Sequence, residues 1–594
     1  MIIPSKCSNF GLMLVGVSVF FGVFIISYFS TIRDLFKESR LSVYTTQKTI
    51  DEPFKQPIDI FEKFPIDFEN ATAVFNTVHG ALKQKNANLN PVGISFIPAY
   101  IPPNTLLYHS TSSPVIPELF EWIAMDYEFS YDFAHVFRNG KSHGHPPGNG
   151  KKPPAPGGHG GPGGPGGPGD NHPRNLKTPF LYTFRTTKPL TKLIYLDGAS
   201  AAKTNTGEMD QQLILSKQED ADERVNEYEA SAKICEWGKP FGLDGIIRLE
   251  IGFEIVICDF KNHLDLVSNV TLNNATDLLS FPGESSTPSG DLELNRSLIL
   301  DIVDAMKGFE HIQAGAIADN REPRILLDFS KMVTPINKTW INPSPYHRRI
   351  NHLSPQLKQD IIGQLETNLH SAVEPYMKTD WQLISNRIVD KFGPMLILLN
   401  TTLTEFDYHH KKSLRNSLDL VAKNMTELTF NFVRRYSDDT IKDSEIKMQK
   451  AFDNAIIDYV YYNYPLTSSA EILIYSSIFK IQSTIQSTIF NVFEISKRIL
   501  ADIYVKPTEV RFDDFKTELL QLKQDFNHLL HQLNWSIFTQ CSSKCNWDEV
   551  CYIPTWGPGP MGWGSSENKW FEFDGDRYVI GKKLFCVSYR DLKR

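Results

Sequence analysis

A histidine and a glutamate in the first half of the chain have surroundings in which such groups could do chemistry. His109 ends the strand-like run TLLYH, and a polar Ser-Thr step follows it. Glu254 lies inside the apolar run GFEIVICDF, where strand alternation puts it on one face with Val256 and Cys258. An acid on such a face is either functional or placed at the end of a strand. A functional carboxylate there could stabilise a developing positive charge.

The sequence lacks the common catalytic motifs. It contains no GxSxG elbow, no HExxH zinc motif, no Walker loop and no Rossmann glycine fingerprint. The adjacent His409 and His410 are predicted to lie on a solvated helix face. We therefore predict no metal site and keep only the constellation around His109 and Glu254.

Four segments around these residues resemble the ADP-ribosyltransferase-like fold. They are TLLYHST (105–111), EWIAMDYEFSYDFA (121–134), LYTFRTTKPLTKLIYLDG (181–198) and GLDGIIRLEIGFEIVICDF (242–260). In that fold a strand ends in His, a second strand leads to a helix that bears Ser or Tyr, and a late strand supplies a Glu. The order of the elements agrees over residues 92–262.

The resemblance implies a cofactor, NAD, and residues that would bind it. His109 would bond a ribose hydroxyl, and the backbone at Ser110 and Thr111 would hold the carboxamide. Tyr131 (or Tyr127) would stack on the nicotinamide ring. The family usually has Gly where Ser110 stands, which lets the backbone approach the ligand closely.

The resemblance also implies the catalytic residues. Glu254 would stabilise the oxocarbenium-like transition state formed as the bond between nicotinamide and ribose breaks. His109 and Tyr131 would complete the catalytic set by holding the substrate in place. This hypothesis describes an NAD-using ADP-ribosyltransferase.

Such a site needs a scaffold, and the pattern predicts an α+β domain with an ADP-ribosyltransferase-like mixed β core over residues 92–262. Short apolar and alternating segments predict strands. The acidic run 219–237 predicts a helix that is stopped by Gly238 and Pro240. The insert 139–173, rich in Gly, Pro and His, cannot bury a core and is predicted to be a disordered loop.

The chain that follows is predicted to consist of a linker region (263–345) and a mainly α-helical domain (346–535). The stretch 354–369 begins with a capping Ser followed by Pro, as helices often do. The run 469–503 repeats Ile or Val nearly every seven residues, which predicts a core helix or a coiled coil. A coiled coil would permit self-association or the binding of a protein partner through 469–503.

The N-terminal apolar run, residues 10–29, contains no charge and is long enough to span a bilayer as a helix. Its length and its poor cleavage site favour an uncleaved signal anchor over a cleaved signal peptide. This prediction leaves 1–9 as a cytosolic tail and 30–91 as a membrane-proximal stalk. Lysine and arginine counts alone favour the opposite orientation.

Sequons and cysteines favour a lumenal or extracellular location for the chain after residue 30, in the secretory pathway or at the cell surface. Eight N-x-S/T sequons follow the apolar run and predict a glycoprotein. Their acceptors are Asn70, Asn269, Asn274, Asn295, Asn337, Asn400, Asn424 and Asn534. Six of the seven cysteines also follow it: Cys235, Cys258, Cys541, Cys545, Cys551 and Cys586.

Four of these cysteines fall within residues 536–594 and predict a small, disulfide-rich C-terminal cap. In an oxidising compartment they would form two disulfides, although their spacing could also suit zinc. Cys235 and Cys258 would form a third pair.

The length and the net charge of the chain limit the number of domains and the kinds of function that it could have. A chain of 594 residues predicts two or three domains, and a net charge of −8 gives no support for nucleic-acid binding. The segments WIAMDYEFSY, YLDGASAAK, CEWGKPFGLDG and CNWDEVCYIPTW resemble uncharacterised membrane-anchored proteins of fungi. Two hypotheses follow: an NAD-using transferase, or a non-catalytic membrane glycoprotein that binds a partner through its helical region.

Overall fold

The fold is described from a computed structural model of the chain. It describes residues 61–89, 93–111, 113–131, 180–199, 208–217, 227–250, 252–271, 320–336, 350, 353–375, 378–406, 414–460, 466–505, 512–541, 543–553, 571–574, 577–580, 584 and 586–588. The predicted anchor (10–29), cytosolic tail (1–9) and Gly/Pro/His insert (139–173) lie outside these ranges.

The strands and helices have the following bounds. The strands are β1 (Phe96–Ile101), β2 (Leu106–Thr111), β3 (Glu121–Ala124), β4 (Phe180–Thr186), β5 (Leu190–Ala199), β6 (Gly245–Glu250), β7 (Gly252–Ile257), β8 (Leu264–Thr271), β9 (Leu326–Leu327), β10 (Glu549–Cys551), β11 (Phe571–Asp574), β12 (Arg577–Ile580) and β13 (Cys586–Ser588). The helices are α1 (Phe68–Gly80), α2 (Gln84–Leu89), α3 (Glu208–Leu215), α4 (Glu227–Gly238), α5 (Phe260–His263), α6 (Pro355–Leu369), α7 (Trp381–Glu405), α8 (Leu414–Tyr436), α9 (Ser444–Val460), α10 (Ser469–Tyr504) and α11 (Phe512–Leu533). A further helical stretch covers 127–131.

Nine strands form one mixed sheet in the order β8-β4-β2-β3-β7-β6-β5-β1-β9. Neighbouring strands are antiparallel except β5 and β6, which are parallel. A parallel pair needs a crossover connection, and the chain between these two strands contains α3 and α4. The Cys235–Cys258 disulfide ties α4 to the end of β7.

The hairpin of β6 and β7 lies in the middle of the sheet, and the sequence correctly predicts two apolar strands around Gly252. Gly252 has a φ of 112°, a conformation that favours glycine. Its N–H donates to Oε1 of Gln84 at 2.6 Å. The register places Arg248 directly opposite Glu254.

The sheet is least continuous between β2 and β3. β2 pairs with β4 along its whole length, but it pairs with β3 only through Tyr108 and Ala124. The two strands therefore diverge on either side of this single pair. A strand pair that diverges leaves backbone groups that need other hydrogen-bond partners.

Residues 61–89 belong to the core, so the prediction of a membrane-proximal stalk over 30–91 is wrong for this part. Val74 and Phe75 of α1 are buried, and the ring of Phe75 stacks on Trp535 with centroids 5.7 Å apart. Asn76 Nδ2 donates to the backbone oxygen of Leu533 at 3.0 Å. The sequence misled because a short helix of mixed polar and apolar residues does not show which distant parts of the chain cover it.

The predicted linker over 263–345 is likewise wrong for its described parts. Leu264–Thr271 forms β8, one edge of the sheet, and Leu326–Leu327 forms β9 at the other edge. Met332 and Val333 beyond β9 are buried. The sheet therefore extends beyond the predicted boundary at residue 262.

α10 is the central helix of the helical region and contains 36 residues. Ser468 caps it by accepting a hydrogen bond from the backbone N–H of Glu471. The residues of the predicted seven-residue repeat are all buried within the chain: Ile474, Ile478, Ile481, Ile485, Val492, Ile495 and Ile499. They pack against α8, α9 and α1, so 469–503 is a core helix and these side chains offer no exposed seam to a second chain.

The C-terminal cap consists of short strands held by disulfides. β10 pairs with β13, and β11 pairs with β12. Cys541 is bonded to Cys551, and Cys545 is bonded to Cys586. The predicted disulfide-rich cap and the predicted third pair, Cys235–Cys258, are both present.

The predicted fold class must be corrected. The core is a single nine-stranded mixed sheet whose strands diverge at the β2–β3 junction, and not an ADP-ribosyltransferase-like core. None of the helices in the described ranges combines the length and the apolar character needed to cross a membrane.

Candidate functional site

His109 fills the space where β2 and β3 diverge. Its side chain is buried, and Nδ1–H donates a hydrogen bond to the backbone oxygen of Trp122 at 2.8 Å. A carbonyl oxygen can only accept, so the bond places the proton of the neutral ring on Nδ1. The ring also makes an edge contact with Phe260, with centroids 5.9 Å apart. His109 thus supplies a link between the strands that the backbone ladder lacks.

This environment predicts an acid-dependent loss of stability. Burial lowers the pKa of His109 from its usual 6.5 to about 4. Between those values the unfolded chain binds more protons, so stability falls as the pH is lowered. From pH 7 to pH 4.5 we expect a His109→Asn variant to lose about 2–3 kcal/mol less stability than the wild-type protein, as measured by urea unfolding.

Burial also lowers the pKa of His79, so the His109→Asn variant should still lose some stability in acid. The difference between the two proteins isolates His109. Equal losses in both proteins would contradict the structural role assigned to its imidazole.

Glu254 is held by a buried arginine on the neighbouring strand. Nε of Arg248 donates to Oε2 of Glu254 at 2.8 Å, and a second guanidinium nitrogen lies 2.7 Å from the same oxygen. Nη1 of Arg248 also donates to Glu227 of α4 at 3.0 Å. The side chains of Arg248 and Glu254 are only 2% and 3% exposed. A buried ion pair of this kind neutralises the charge that a catalytic carboxylate would offer to a substrate.

A very small cavity lies between His109 and Glu254. Ser110, Trp122 and Ser130 contribute to its wall. Its volume is about 10 Å³, which is room for one water molecule. Oγ of Ser110 and Nε1 of Trp122 are buried without a hydrogen-bond partner among the described residues. A single water in the cavity would satisfy such groups.

The register also separates His109 from Glu254 across the sheet. Tyr108 is opposite Ala124, and Ala124 is opposite Glu254. Residues that are directly opposite share a face, so His109, adjacent to Tyr108, points to the other face. The predicted pair meets only in the gap between the strands. NAD binding stays a prediction, and a space of this size does not admit a nicotinamide ring.

Tyr131 does not line the cavity. It stacks on Tyr127 with centroids 6.4 Å apart, and Tyr127 makes an edge contact with Tyr108 at 5.3 Å. Thr111, at the end of β2, accepts a hydrogen bond at Oγ1 from the backbone N–H of Ser113 at 3.1 Å. The structure therefore places His109, Ser110 and Glu254 on the wall of one small cavity, and leaves Tyr131 and Thr111 in other contacts.

Sequence reasoning missed two arginines that organise this part of the sheet. Arg248 could have been found from the hairpin, because the register around Gly252 pairs it with Glu254. Arg324 donates to Glu322 through Nε at 2.7 Å and lies 3.4 Å from Asp126. Arg324 and Asp126 are 198 positions apart, and no local pattern indicates their contact.

The described residues contain one group with the spacing of metal ligands, in the C-terminal cap. The sulfurs of Cys541, Cys545 and Cys551 lie within 4.8 Å of one another. All three are disulfide-bonded. A metal ligand must be a thiolate, so this cluster does not bind zinc as it stands.

An exposed apolar patch lies beside the buried groups, where the chain enters β3. We call it the Leu119 patch, and it consists of Val115, Ile116, Leu119, Phe120 and Tyr228. Leu119 is 77% exposed, Val115 is 70% exposed and Tyr228 is 52% exposed. The ring of Phe120 lies 4.9 Å from that of Tyr228, so the chain directly before β3 meets α4 at this surface.

No solved structure matches the chain. The resemblance to the ADP-ribosyltransferase-like fold is therefore wrong as a fold assignment. Its motifs are short, and a strand ending in His or a strand containing Glu occurs in many mixed sheets.

Related proteins cover nearly the whole chain. A family model described as the YPL277C N-terminal domain matches residues 58–291 and 290–374, and one described as the YPL277C C-terminal domain matches residues 380–507. The chain is 35% identical over 581 residues to "Uncharacterized protein YOR389W" of Saccharomyces cerevisiae, covering 89% of each protein. It is 37% identical over 418 residues to "Uncharacterized protein YPL277C" of the same organism, covering 62% of this chain and 81% of the relative. The chain belongs to this fungal family, whose N-terminal and C-terminal domains it carries in order.

Proposed function

We propose that the protein is a non-catalytic binding protein of the secretory pathway or cell surface, which binds a polypeptide partner through the Leu119 patch. The observation that carries the proposal is the exposure of this patch beside groups that are buried and already paired. Contiguous exposed apolar surface commonly marks an interaction site.

The state of the candidate catalytic groups supports a binding role. Glu254 is neutralised by Arg248, and His109 is buried with its Nδ1–H bonded to the Trp122 carbonyl. The cavity between them has room for about one water molecule. Chemistry at these residues would require the opening of the sheet at the β2–β3 junction.

The disulfides support the compartment. Three of them join six cysteines in the described residues. Disulfides form and persist in oxidising compartments and are rare in the cytosol. We therefore keep the secretory pathway or cell surface as the proposed location.

The surroundings of the Leu119 patch indicate the chemistry of the partner. Glu118 and Glu121 flank Leu119 and Phe120, and Glu227 and Glu229 flank Tyr228. Lys261 and Lys233 balance Glu118 and Glu229 through exposed pairs. Arg248 is shared between Glu227 and the buried Glu254, so the acidic groups stay in excess. The partner that fits is a polypeptide segment in which apolar side chains adjoin Lys or Arg.

Glu121 adds a dependence on pH. Burial raises the pKa of Glu121 from 4.5 to about 7. Its carboxylate becomes charged as the pH rises through that value. Attraction for a basic segment should therefore be stronger at pH 8 than at pH 6.

Binding of model peptides tests the proposal. A fluorescein-labelled peptide of alternating Leu and Lys should bind the wild-type protein more tightly than one of alternating Leu and Glu, by fluorescence anisotropy. Leu119→Ser and Tyr228→Ser should each weaken binding of the basic peptide about tenfold or more, since each removes a large apolar side chain that the bound peptide would cover.

The matched control is Leu420→Ser, which alters a leucine of α8 that is 61% exposed and lies far along the chain. It should leave peptide binding unchanged. Equal binding of the two peptides, or equal loss in Leu119→Ser and Leu420→Ser, would overturn the assignment of the patch.

A further inference from the structure

β8 is an open edge of the sheet. It pairs with β4 along its length, and among the described residues no strand lies on its other side. Every residue of β8 after Leu264 is exposed. The outer row of backbone N–H and C=O groups is therefore a template on which another extended strand could pair.

Apart from one irregularity, where the register with β4 shifts between Thr183 and Phe184, this edge lacks the usual protection against such pairing. Leu266, Val267 and Val270 are all exposed. The strand contains no Lys and no Pro, and its one charged residue, Asp265, is paired with Arg185 of β4 at 3.3 Å. A second copy of the same chain can pair with an exposed, apolar edge strand of eight residues such as this one.

The side chain of one asparagine on this strand, Asn269, can carry a glycan. Asn269, Val270 and Thr271 form an N-x-T sequon, and Asn269 is exposed. Four other predicted acceptors lie in described residues, and all four are only partly exposed: Asn70, Asn400, Asn424 and Asn534. The amide of Asn70 already donates to Asp67 at 2.6 Å. A folded protein accommodates a bulky glycan best where the amide faces water, so the structure favours Asn269.

We propose that Asn269 carries an N-linked glycan that covers the open edge of β8 and prevents two copies of the chain from pairing there. The inference rests on the proposed secretory location, which supplies the donor, an oligosaccharide linked to a lipid diphosphate. Nδ2 of Asn269 forms a bond to C1 of the first sugar while the bond from C1 to the diphosphate oxygen breaks. The lipid diphosphate leaves with the bonding electrons, and Nδ2 loses one proton to a base.

The glycan acts by bulk. Asn269 is the sixth residue of β8 and stands opposite Tyr182 of β4, so a sugar attached there lies next to Val267 and Val270. A second strand would have to approach within about 4.8 Å of β8 to form ladder hydrogen bonds. A branched, hydrated oligosaccharide at this position obstructs that approach.

The experiment compares glycosylated and unglycosylated protein. The full chain, made in a secretory yeast host, is mapped by mass spectrometry after enzymatic deglycosylation in heavy-oxygen water. We expect the label at Asn269 in most molecules. Asn269→Gln and Thr271→Val should both abolish it and shift the protein, by light scattering after gel filtration, from monomer towards dimer and larger species as concentration rises.

Two further variants sharpen the test. Asn424→Gln, at a partly exposed sequon in α8, should leave the monomer unchanged. Adding Val267→Lys to Asn269→Gln should restore the monomer, because a charge on the edge opposes strand pairing. An unmodified Asn269, or a glycan-free variant that stays monomeric at every concentration, would overturn the inference.

Failure of this inference can be told apart from failure of the proposed function. If other sequons carry glycans and Asn269 does not, only the role of Asn269 is lost. If no sequon is modified and the cysteines are reduced, the secretory location itself is lost. Asn269→Gln should in either case leave peptide binding at the Leu119 patch unchanged.

Discussion

Replacing Arg248 with methionine should lower the free energy of unfolding by about 3–5 kcal/mol, the largest effect that we expect from a single substitution near the candidate site. The guanidinium is 2% exposed and holds both Glu254 and Glu227. Without it, the carboxylate of Glu254 is buried and uncompensated, or it must take up a proton at a cost. Urea unfolding at pH 7 measures the loss.

The double variant Arg248→Met with Glu254→Leu should recover most of that stability, because no buried charge is left without a partner at this pair. The matched control is Arg185→Met. Arg185 pairs with Asp265 across neighbouring strands, but both side chains are more than half exposed, so the change should cost less than about 1 kcal/mol. Similar losses in the two arginine variants would show that Glu254 does not depend on Arg248.

Removing the Cys235–Cys258 disulfide should have the second-largest effect. The double variant Cys235→Ala with Cys258→Ala should be less stable by about 3 kcal/mol, since the bond closes a loop of 23 residues in the unfolded chain. The loss should appear as a lower urea midpoint, with a somewhat steeper slope because the unfolded chain without the bond is more expanded. It should also loosen α4, which carries Glu227 and Tyr228.

Lys233→Ala provides the control on the same helix, because Lys233 is about half exposed and makes only a surface pair with Glu229. It should change stability by about 0.5 kcal/mol or less. If the cysteine variant were as stable as the wild-type protein, the bond would not stabilise the fold. The three disulfides would then give weaker support for an oxidising compartment.

Local patterns predicted the elements well where side-chain periodicity and stop signals agree. The hairpin around Gly252 follows from two apolar runs separated by a glycine. The end of α4 at Gly238 follows from the Gly-Lys-Pro step, and α10 follows from its Ile repeat. Each of these signals acts within a few residues of the element that it defines.

The site could not be predicted in the same way, because its geometry depends on which strands are neighbours. Alternation shows that Glu254 shares a face with Val256, but it does not show that Arg248 neutralises it. Nothing in TLLYHST shows that β2 and β3 diverge, which is why His109 acts as a link between strands. The order of strands is a property of the whole chain.

The contact between α1 and the end of α11 has a consequence for synthesis on the ribosome. Asn76 bonds to the backbone of Leu533, 457 residues further along the chain. At roughly 5–20 residues per second, translation of that interval takes about 20–90 s. During this time the apolar face of α1, with Val74, Phe75 and Val78, has been made but lacks its final covering. The nascent chain therefore exposes an apolar segment that chaperones can bind. α1, although it is made early, is one of the last helices of the core to be covered.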